Sequence, residues 1–418
     1  MVNLSETLRE RGYVYQFSSD KLEEITDGPK RTLYLGIDPS ADSLQVGQLQ
    51  AFLILRRFLE DGHKVILLIG GGTGMIGDPG GKSAERVLLD AETVTRNAEK
   101  IEAQVKQLFG SADFTMVDNA KWLSKLNLIE FLRDVGKHFS VNALLQRDFV
   151  KDRVKNPEQG ISYTEFSYAL LQAYDFFHLH KKFKCDLQVG GSDQWGNIVS
   201  GVDYIRRTTN DVVYALTWPL LVDKSTGKKF GKSEQGTMWL DAAKTTPFQF
   251  YQFWLNTTDA AVEEYLLKMT MLTTPEIAAI HELHKRDAKE RHAQQVLARE
   301  VTTLVHGEVE ASKAEQVSHV LFGGADLDTL DDEALATLKI AAPVYKVKVG
   351  SFVIDALIGA DLASSKTVAR RLIAEKAVSL NDKIVKGIEH ELSEKDFSNG
   401  IALLRRGGRN VCVLMLEE

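Results

Sequence analysis

Residues 32–69 read TLYLGIDPSADSLQVGQLQAFLILRRFLEDGHKVILLI, and the way this stretch divides decides the fold. Thr32-Leu33-Tyr34-Leu35-Gly36-Ile37 is a short, mostly apolar run of strand type. From about Gln45 to Asp61, the residues Val46, Leu49, Phe52, Leu53, Arg56 and Leu59 fall at helical spacings, and Gly62 closes the segment. Lys64-Val65-Ile66-Leu67-Leu68-Ile69 is again almost wholly apolar, the pattern of a parallel strand covered on both faces. Strand, helix, strand is a crossover unit, so the expected architecture is α/β with a doubly wound parallel sheet.

Working outward, Phe114–Val117, Leu187–Val189 and Val212–Leu216 are further buried-strand candidates, with helical segments between them. An insertion from about 119 to 184 reads as mostly helical. The sheet domain is expected to span 1–235, a helical domain 236–321, a polar, glycine-containing linker 322–348, and a small separate module 349–418.

Composition sets wide bounds. With 418 residues, 44% hydrophobic and 26% charged, the chain has room for two or three domains with substantial cores. No run is apolar enough for a membrane span, and MVNLSETLRERG lacks a signal-peptide core, so a cytoplasmic protein with no membrane partner is expected. Cys185 and Cys412 have no ligand-spaced histidines near them in sequence, so no metal site is expected from them. The net charge of −7 argues against indiscriminate nucleic-acid binding, yet 366–409 holds 10 Lys/Arg and 6 Asp/Glu, hence +4 against −11 elsewhere. A basic tail on an acidic body is the pattern of one local polyanion site, or of a solvated mixed surface.

Three loops follow apolar strands: DPSADSLQVGQ at 38–48, GGGTGMIGDPGGKS at 70–83 and VGGSDQWGN at 189–197. In an open parallel sheet, ligands bind beyond the strand C-termini, so these loops converge on one crevice. Neither Lys-Ser pair is a P-loop, because the glycine required five places before Gly81 is Ile76 and that before Gly231 is Thr226. No GxGxxG follows the first strand. The stretch 223–235 places four lysines on a Gly/Ser/Thr-rich loop. Such a loop is usually plain surface, but after a strand bordering this crevice it is suited to closing over phosphates.

The motifs together resemble one family. Lys229-Phe230-Gly231-Lys232-Ser233, the 190–197 segment GGSDQWGN and the 166–175 segment FSYALLQAYD are similar to segments of bacterial-type tyrosyl-tRNA synthetases, which are class I aminoacyl-tRNA synthetases. The similarity runs over essentially the whole chain. It implies a Rossmann-like catalytic domain with a helical insertion, a helical domain and a C-terminal S4-like α+β RNA-binding domain. It also implies a homodimer formed through the insertion.

By residue, the resemblance implies that Tyr34 and Asp175 fix the phenol of L-tyrosine. Asp78, Tyr168 and Gln172 would hold its amino group, and Gln194 would line the pocket. A site built to bond a hydroxyl leaves buried polar groups unpaired when the hydroxyl is missing, and tyrosyl-tRNA synthetases are themselves the standing example. On spacing alone, Tyr168, Gln172 and Asp175 (i, i+4, i+7) are better read as the polar face of an ordinary helix.

For ATP, the resemblance points to Gly36, Asp38, Gly47, Gly191, Asp193 and Lys232, with Gly47 leaving room for adenine and ribose. Mg2+ would accompany ATP without protein ligands. Ser40, Gln45, Gln48, Lys82, Arg86, Lys229, Lys232 and Ser233 form the implied catalytic set. The family's first motif is His-x-Gly-His, and here the aligned residues are Gln45-Val46-Gly47-Gln48. A glutamine amide also donates hydrogen bonds at a helix N-terminus, but it cannot become cationic. Leu35 is a second departure, standing where relatives often carry a cysteine.

In the C-terminal module, a serine cap opens a helix expected to bury Val368 and Leu372 while Lys366 and Arg370 face outward. With Arg371, Arg405, Arg406 and Arg409 these would contact tRNA-Tyr. The reaction implied is tyrosine–tRNA ligation through tyrosyl-adenylate. Rival readings are a tryptophan-specific relative, a catalytically impaired paralogue that binds tyrosine or RNA, and, more distantly, a nicotinamide-dependent oxidoreductase.

Overall fold

A computed structural model describes residues 3–78, 89–146, 150, 154, 160–222, 230–233, 236–408 and 410–417, with backbone alone at 232 and 233. The chain forms two compact units, Met1–Lys244 with Thr258–Ala293, and Thr245–Thr257 with Gln294–Glu418.

The first unit is built on a six-stranded sheet. Its strands are β1 (Gln16–Phe17), β2 (Thr32–Ile37), β3 (Lys64–Ile69), β4 (Thr115–Asp118), β5 (Leu187–Gly191) and β6 (Tyr214–Trp218), in the order β1-β6-β5-β2-β3-β4. All neighbours pair in parallel except β1, which runs antiparallel along β6. The order runs outward from β2 through β3 to β4, and on the other side from β5 to β6. The switch point of this doubly wound sheet therefore lies between β2 and β5.

Pairing explains why a crevice opens there. β2 and β3 are in register along all of Thr32–Ile37, whereas β2 and β5 pair only at Leu33↔Leu187 and Tyr34↔Gln188. Beyond Tyr34 the two strands part. Gly36, although in a central strand, is exposed, and a Cβ there would meet no atom within 4 Å.

Helix α1 (Val46–Glu60) buries Val46, Leu49, Phe52, Leu53, Ile54, Leu55 and Phe58. Each fully buried apolar side chain of this size contributes about 1.5–3 kcal/mol relative to exposure. The stripe is wider than the spacing predicts, and Arg56 and Leu59, expected in it, are only half-buried. Helix α2 (Ala91–Phe109) starts at Asp90, whose carboxylate accepts from Thr93 N at 2.7 Å. The insertion contains short helices and then α3 (Tyr163–Phe183), opened by a Ser162–Glu165 capping box and ended by Lys184 at φ 56°. Helix α4 (Trp195–Thr209) follows β5 after one 3-10 turn, Ser192–Gln194. Phe114–Val117, expected as a buried strand, is the half-exposed edge strand β4.

Helices Asp259–Met269 and Thr274–Arg286 belong to the first unit, and Pro247–Leu255 to the second. In the second unit Pro247–Leu255 packs against Glu308–Phe322, with Gln252 Nε2 donating to Ser318 Oγ at 2.8 Å. The stretch 322–348, read as a linker, contains a helix, Asp332–Ala341, that buries Ala334, Leu335 and Leu338. Its strand Val344–Val347 pairs in parallel with Asn410–Leu416. Gly323 and Gly324 end the helix Glu308–Phe322 rather than a domain.

The C-terminal sheet has five strands, and helices Val353–Gly359 and Lys366–Ala374 accompany it. Val353, Leu357, Ala369, Ile373, Val378, Leu380, Leu404 and Leu414 form its core. On Lys366–Ala374 the buried residues are Ala369 and Ile373; Val368 and Leu372, expected inside, are half-buried at the margin of that core.

Candidate functional site

The floor of the crevice carries a buried polar cluster. Tyr34 is fully buried in β2, its ring centroid 5.3 Å from that of Phe176, and its hydroxyl has no partner among the described residues. Burial, with Asp175 adding to it, pushes the Tyr34 phenol well above its ordinary range, so it stays a neutral donor. Asp175, on α3, is also buried. Its Oδ2 accepts from Asn119 Nδ2 at 2.8 Å and its Oδ1 from Trp122 Nε1 at 2.7 Å. Burial raises this carboxyl to about 7, although the two donors pull the other way.

Asn119 is itself fixed. Its Nδ2 also donates to Thr73 Oγ1 at 3.0 Å, and its Oδ1 accepts from Gly72 N at 2.7 Å. Trp122 stacks on His178 at 4.3 Å between centroids. Two amide oxygens, Gln172 Oε1 and Gln188 Oε1, are buried without partners among the described residues. Gln188 faces Tyr34 across the β2–β5 register. An unpaired buried donor and acceptors beside a braced carboxylate make a cavity lining that welcomes a polar aromatic ligand.

The next part of the crevice is carboxylate-rich. Tyr168 Oη donates to Asp38 Oδ2 at 3.1 Å, and Thr73 Oγ1 to Asp38 Oδ1 at 3.1 Å. Gln194 Nε2 donates to Asp78 Oδ2 at 2.7 Å. Tyr168 is raised well above its usual pKa by burial and by Asp38. Two carboxylates at this depth suit an ammonium group. Asp38, expected against ATP, is thus tied to the tyrosine and threonine of this cluster. Gly70 is required beneath it, since a Cβ there would lie 2.2 Å from Asp38 Oδ1. The helix face of Tyr168, Gln172 and Asp175 is turned inward, so it is not the solvated face that spacing alone allowed.

At the outer end lies the N-terminus of α1. Gln45 is its cap residue, and Gln48 Oε1 accepts from Gln45 N at 2.9 Å. This commits the carbonyl side of the Gln48 amide to the helix end and leaves its NH2 side as the donor. Gln45 is half-exposed, Gln48 and Ser40 exposed. At Gly47 a Cβ would meet Phe230 O at 2.9 Å, so main chain of the lysine motif, Lys229–Ser233, approaches it closely. Gly231, at φ 96°, presses on Val46 in the same way, with 2.9 Å between a built Cβ and Val46 Cγ1. Met238 completes the seam, its N donating to Gly231 O at 3.0 Å and its O accepting from Val46 N at 2.9 Å. Phe230 is buried against Tyr265, with ring centroids 4.8 Å apart. The first and second motifs are therefore in backbone contact.

Lys82, Arg86 and Lys229 lie outside the described residues, as do the side chains of Lys232 and Ser233. Gly191 ends β5, where a Cβ would meet Asp193 Oδ1 at 2.6 Å and Leu220 at 2.8 Å; Asp193 is exposed.

In the second unit, Lys366, Arg370, Arg371 and Arg406 are exposed. Lys366 pairs with Asp355 at 2.9 Å, and Arg406 Nη1 donates to Leu362 O at 2.9 Å. Arg405 is a correction. It is buried, with Nη2 donating to Val320 O at 2.6 Å, Nη1 to Leu321 O, and Asp382 Oδ1 2.8 Å from Nε. A guanidinium spent on the carbonyls ending a helix holds the unit together and does not face a ligand. Arg409 lies outside the described residues.

Asn119, Trp122, Thr73 and Gln188 were not singled out from sequence. The one local signal is Gln188, a polar residue inside the apolar run LQV.

Residues 26–323 match the family of tRNA synthetases class I (W and Y), and 336–414 match the Tyrosine–tRNA ligase SYY-like C-terminal domain. A tyrosine–tRNA ligase of Roseiflexus castenholzii is 45% identical over 419 residues, covering 98% of each chain. One from Aliivibrio fischeri is 46% identical over 415 residues, covering 97% of this chain and 96% of its own. Among solved structures, a C-terminally truncated mitochondrial tyrosyl-tRNA synthetase of Aspergillus nidulans has TM-score 0.69 and 32% identity, over 77% of this chain and 95% of its own.

Proposed function

The chain belongs to the class I tRNA synthetases (W and Y), and on that premise we propose that it is a tyrosine–tRNA ligase whose pocket is prebuilt for a phenol. The observation that carries this is the buried Tyr34 hydroxyl, without a partner among the described residues, beside Asp175, whose carboxylate is braced by Asn119 and Trp122. A tyrosine ring entering here has its hydroxyl donate to Asp175 and accept from Tyr34. An indole carries only a donor, which leaves the Tyr34 hydroxyl unsatisfied and disfavours tryptophan. Asp78, Tyr168, Gln172 and Gln194 take the ammonium end.

The substrate carboxylate is already an anion and needs no general base. It attacks the α-phosphate of ATP in line, the bond to the β-phosphate side breaks, and pyrophosphate leaves with the electron pair. Rate then depends on positioning and on donors aimed at the charge moving to the leaving group. Ser40, Gln45, Gln48, Lys82, Arg86, Lys229, Lys232 and Ser233 supply them. Gly36, Gly47, Gly191 and Asp193 border the nucleoside. These phosphate-side groups are donors and cations, a set suited to phosphate oxygens rather than to a metal, so Mg2+ accompanying ATP would supply further charge neutralisation there without protein ligands. In the second step a hydroxyl of the terminal adenosine of tRNA-Tyr attacks the tyrosyl carbonyl and AMP leaves.

Lys366, Arg370, Arg371, Arg406 and Arg409 contact the RNA backbone. Such contacts position without reading sequence. The insertion exposes Leu128, Ile129, Leu132 and Val141, an apolar set that supports a homodimer formed through it. The working compartment is the cytoplasm. Tyrosine-dependent exchange of pyrophosphate into ATP, run beside phenylalanine and tryptophan, tests the assignment. Exchange with tyrosine alone is expected, and equal exchange with tryptophan overturns it.

A further inference from the structure

Asp42 stands three residues before Gln45, in a turn to which the reaction assigns Ser40 but not Asp42 itself. Its carboxylate bridges two cations, with Lys100 Nζ 2.8 Å from Oδ2 and Lys244 Nζ 2.6 Å from Oδ1. The pair of lysines holds this carboxyl well down, at about 2, so it is ionised at any working pH.

The two lysines come from different parts of the first unit. Lys100 is on α2, flanked on the same face by Asn97 and Gln104, and all three reach this one turn. Asn97 Nδ2 donates to Pro39 O at 2.9 Å. Gln104 Oε1 accepts from Leu44 N at 2.8 Å, and its Nε2 donates to Ser43 Oγ at 2.9 Å. Lys244 ends the segment that follows the lysine motif. Its ammonium lies 5.1 Å from the centre of the Trp239 ring, and Trp239 forms a backbone bridge with Gln45. Leu240 N donates to Leu44 O at 2.9 Å, and Asp241 N to Ser43 Oγ at 3.2 Å.

We propose that Asp42 is a positioning residue for the ATP triphosphate: by joining Lys100 to Lys244 it fixes the Ser40–Gln48 turn against the segment following the lysine motif. Because that segment continues the lysine motif, the donors proposed from the turn and from the motif are held to one geometry at the phosphates. This rests on the assignment of Gln45, Lys229 and Lys232 to those phosphates. Simple stabilisation is the competing role, and it is weak here. Lys100 is half exposed, and exposed ion pairs contribute little to folding stability. Small misplacements of reacting groups, by contrast, cost large factors in rate or affinity.

The test is Asp42→Ala and Asp42→Asn in tyrosine-dependent ATP–pyrophosphate exchange, with thermal unfolding alongside. KM for ATP is expected to rise about tenfold while KM for tyrosine and the unfolding midpoint stay put. Asp42→Glu recovers part of the loss. Lys244→Met produces a similar rise, and combining it with Asp42→Ala adds little more, because both remove one coupling. An unchanged KM for ATP in Asp42→Ala overturns the proposal, as does a parallel rise in both KM values with a falling midpoint. Lys232→Ala separates the two levels. Impairment there without impairment in Asp42→Ala removes the role of Asp42 alone; no impairment in Lys232→Ala removes the phosphate assignment and this inference with it.

Discussion

The two ends of the crevice are built on opposite principles. At the tyrosine end Tyr34 and Asp175 are buried, their protonation is displaced by desolvation, and Asn119, Trp122 and Thr73 lock the carboxylate before any ligand arrives. At the end proposed for the phosphates Ser40 and Gln48 are exposed, one in the turn before α1 and the other in its first turn. Their order is imposed from outside, by Asp42 and by the seam of Phe230, Gly231 and Met238 on Val46 and Gly47. Specificity for a neutral hydroxyl needs a dry, rigid pocket, because only there is an unpaired polar group costly. Gripping a triphosphate needs access and charge, and the strength of those donors depends on how well the surrounding turn is held.

The largest effect expected from this contrast is at Asp175. Asp175→Ala leaves a substrate hydroxyl unpaired in a buried site, and kcat/KM for tyrosine should fall by about 10²–10³. Preference over phenylalanine collapses with it. Comparable loss for both amino acids would break the comparison.

Next comes pH. The ionised Asp175 is the better acceptor, and its carboxyl titrates at about 7 in the free protein. KM for tyrosine should therefore fall as pH rises through about 7 and level off above. The stability sign runs the other way. The folded form holds this proton more tightly than the unfolded chain, so Asp175 costs stability as pH climbs from the ordinary carboxyl range toward 7. Asp175→Asn should unfold at a higher temperature than the parent above that range, and at a similar one in acid. A parent and variant that melt in parallel at all pH values would contradict the burial argument.

A smaller effect is expected at Trp122→Phe, which keeps the ring stacked on His178 but deletes the donor to Asp175. Losing one such bond to a charged group is worth about 1.5–3 kcal/mol, so KM for tyrosine should rise roughly ten- to a hundredfold with KM for ATP unchanged. The smallest is on the second unit. Arg370→Ala should raise KM for tRNA a few-fold and reduce its salt dependence, leaving pyrophosphate exchange intact. Arg405→Ala should lower the unfolding temperature of that unit instead, since its guanidinium caps Val320 and Leu321.

The same contrast explains what the sequence disclosed. The crossover from Thr32 to Ile69 follows from periodicity, whereas the inward face of Tyr168 and Asp175 is legible only through the motif, since their spacing favours a solvated face. Asn119, Trp122 and Thr73 did not announce themselves, because bracing a carboxylate requires only a donor at the right point in space. Arg405 misled for the opposite reason: its charge is visible in sequence, whereas its burial against helix-end carbonyls is a tertiary fact. Gly47, read from the resemblance as room for adenine and ribose, has the Phe230 carbonyl close to it in the structure, a tertiary contact that spacing does not show. The helix at Asp332–Ala341 escapes because the stretch reads as one polar, glycine-containing segment from 322, which hides the apolar positions Ala334, Leu335 and Leu338 within it.

A neutral Gln45/Gln48 pair at the N-terminus of α1 is thus proposed to serve the tyrosine pocket in place of two histidines. Tyrosine-dependent ATP–pyrophosphate exchange, measured for this chain beside a Gln45→His/Gln48→His double variant, tests it most directly. The expected result is exchange of similar magnitude in both, with a new dependence on histidine ionisation in the variant only. Exchange confined to the double variant would contradict the claim and mark the chain as a disabled catalyst on an intact scaffold.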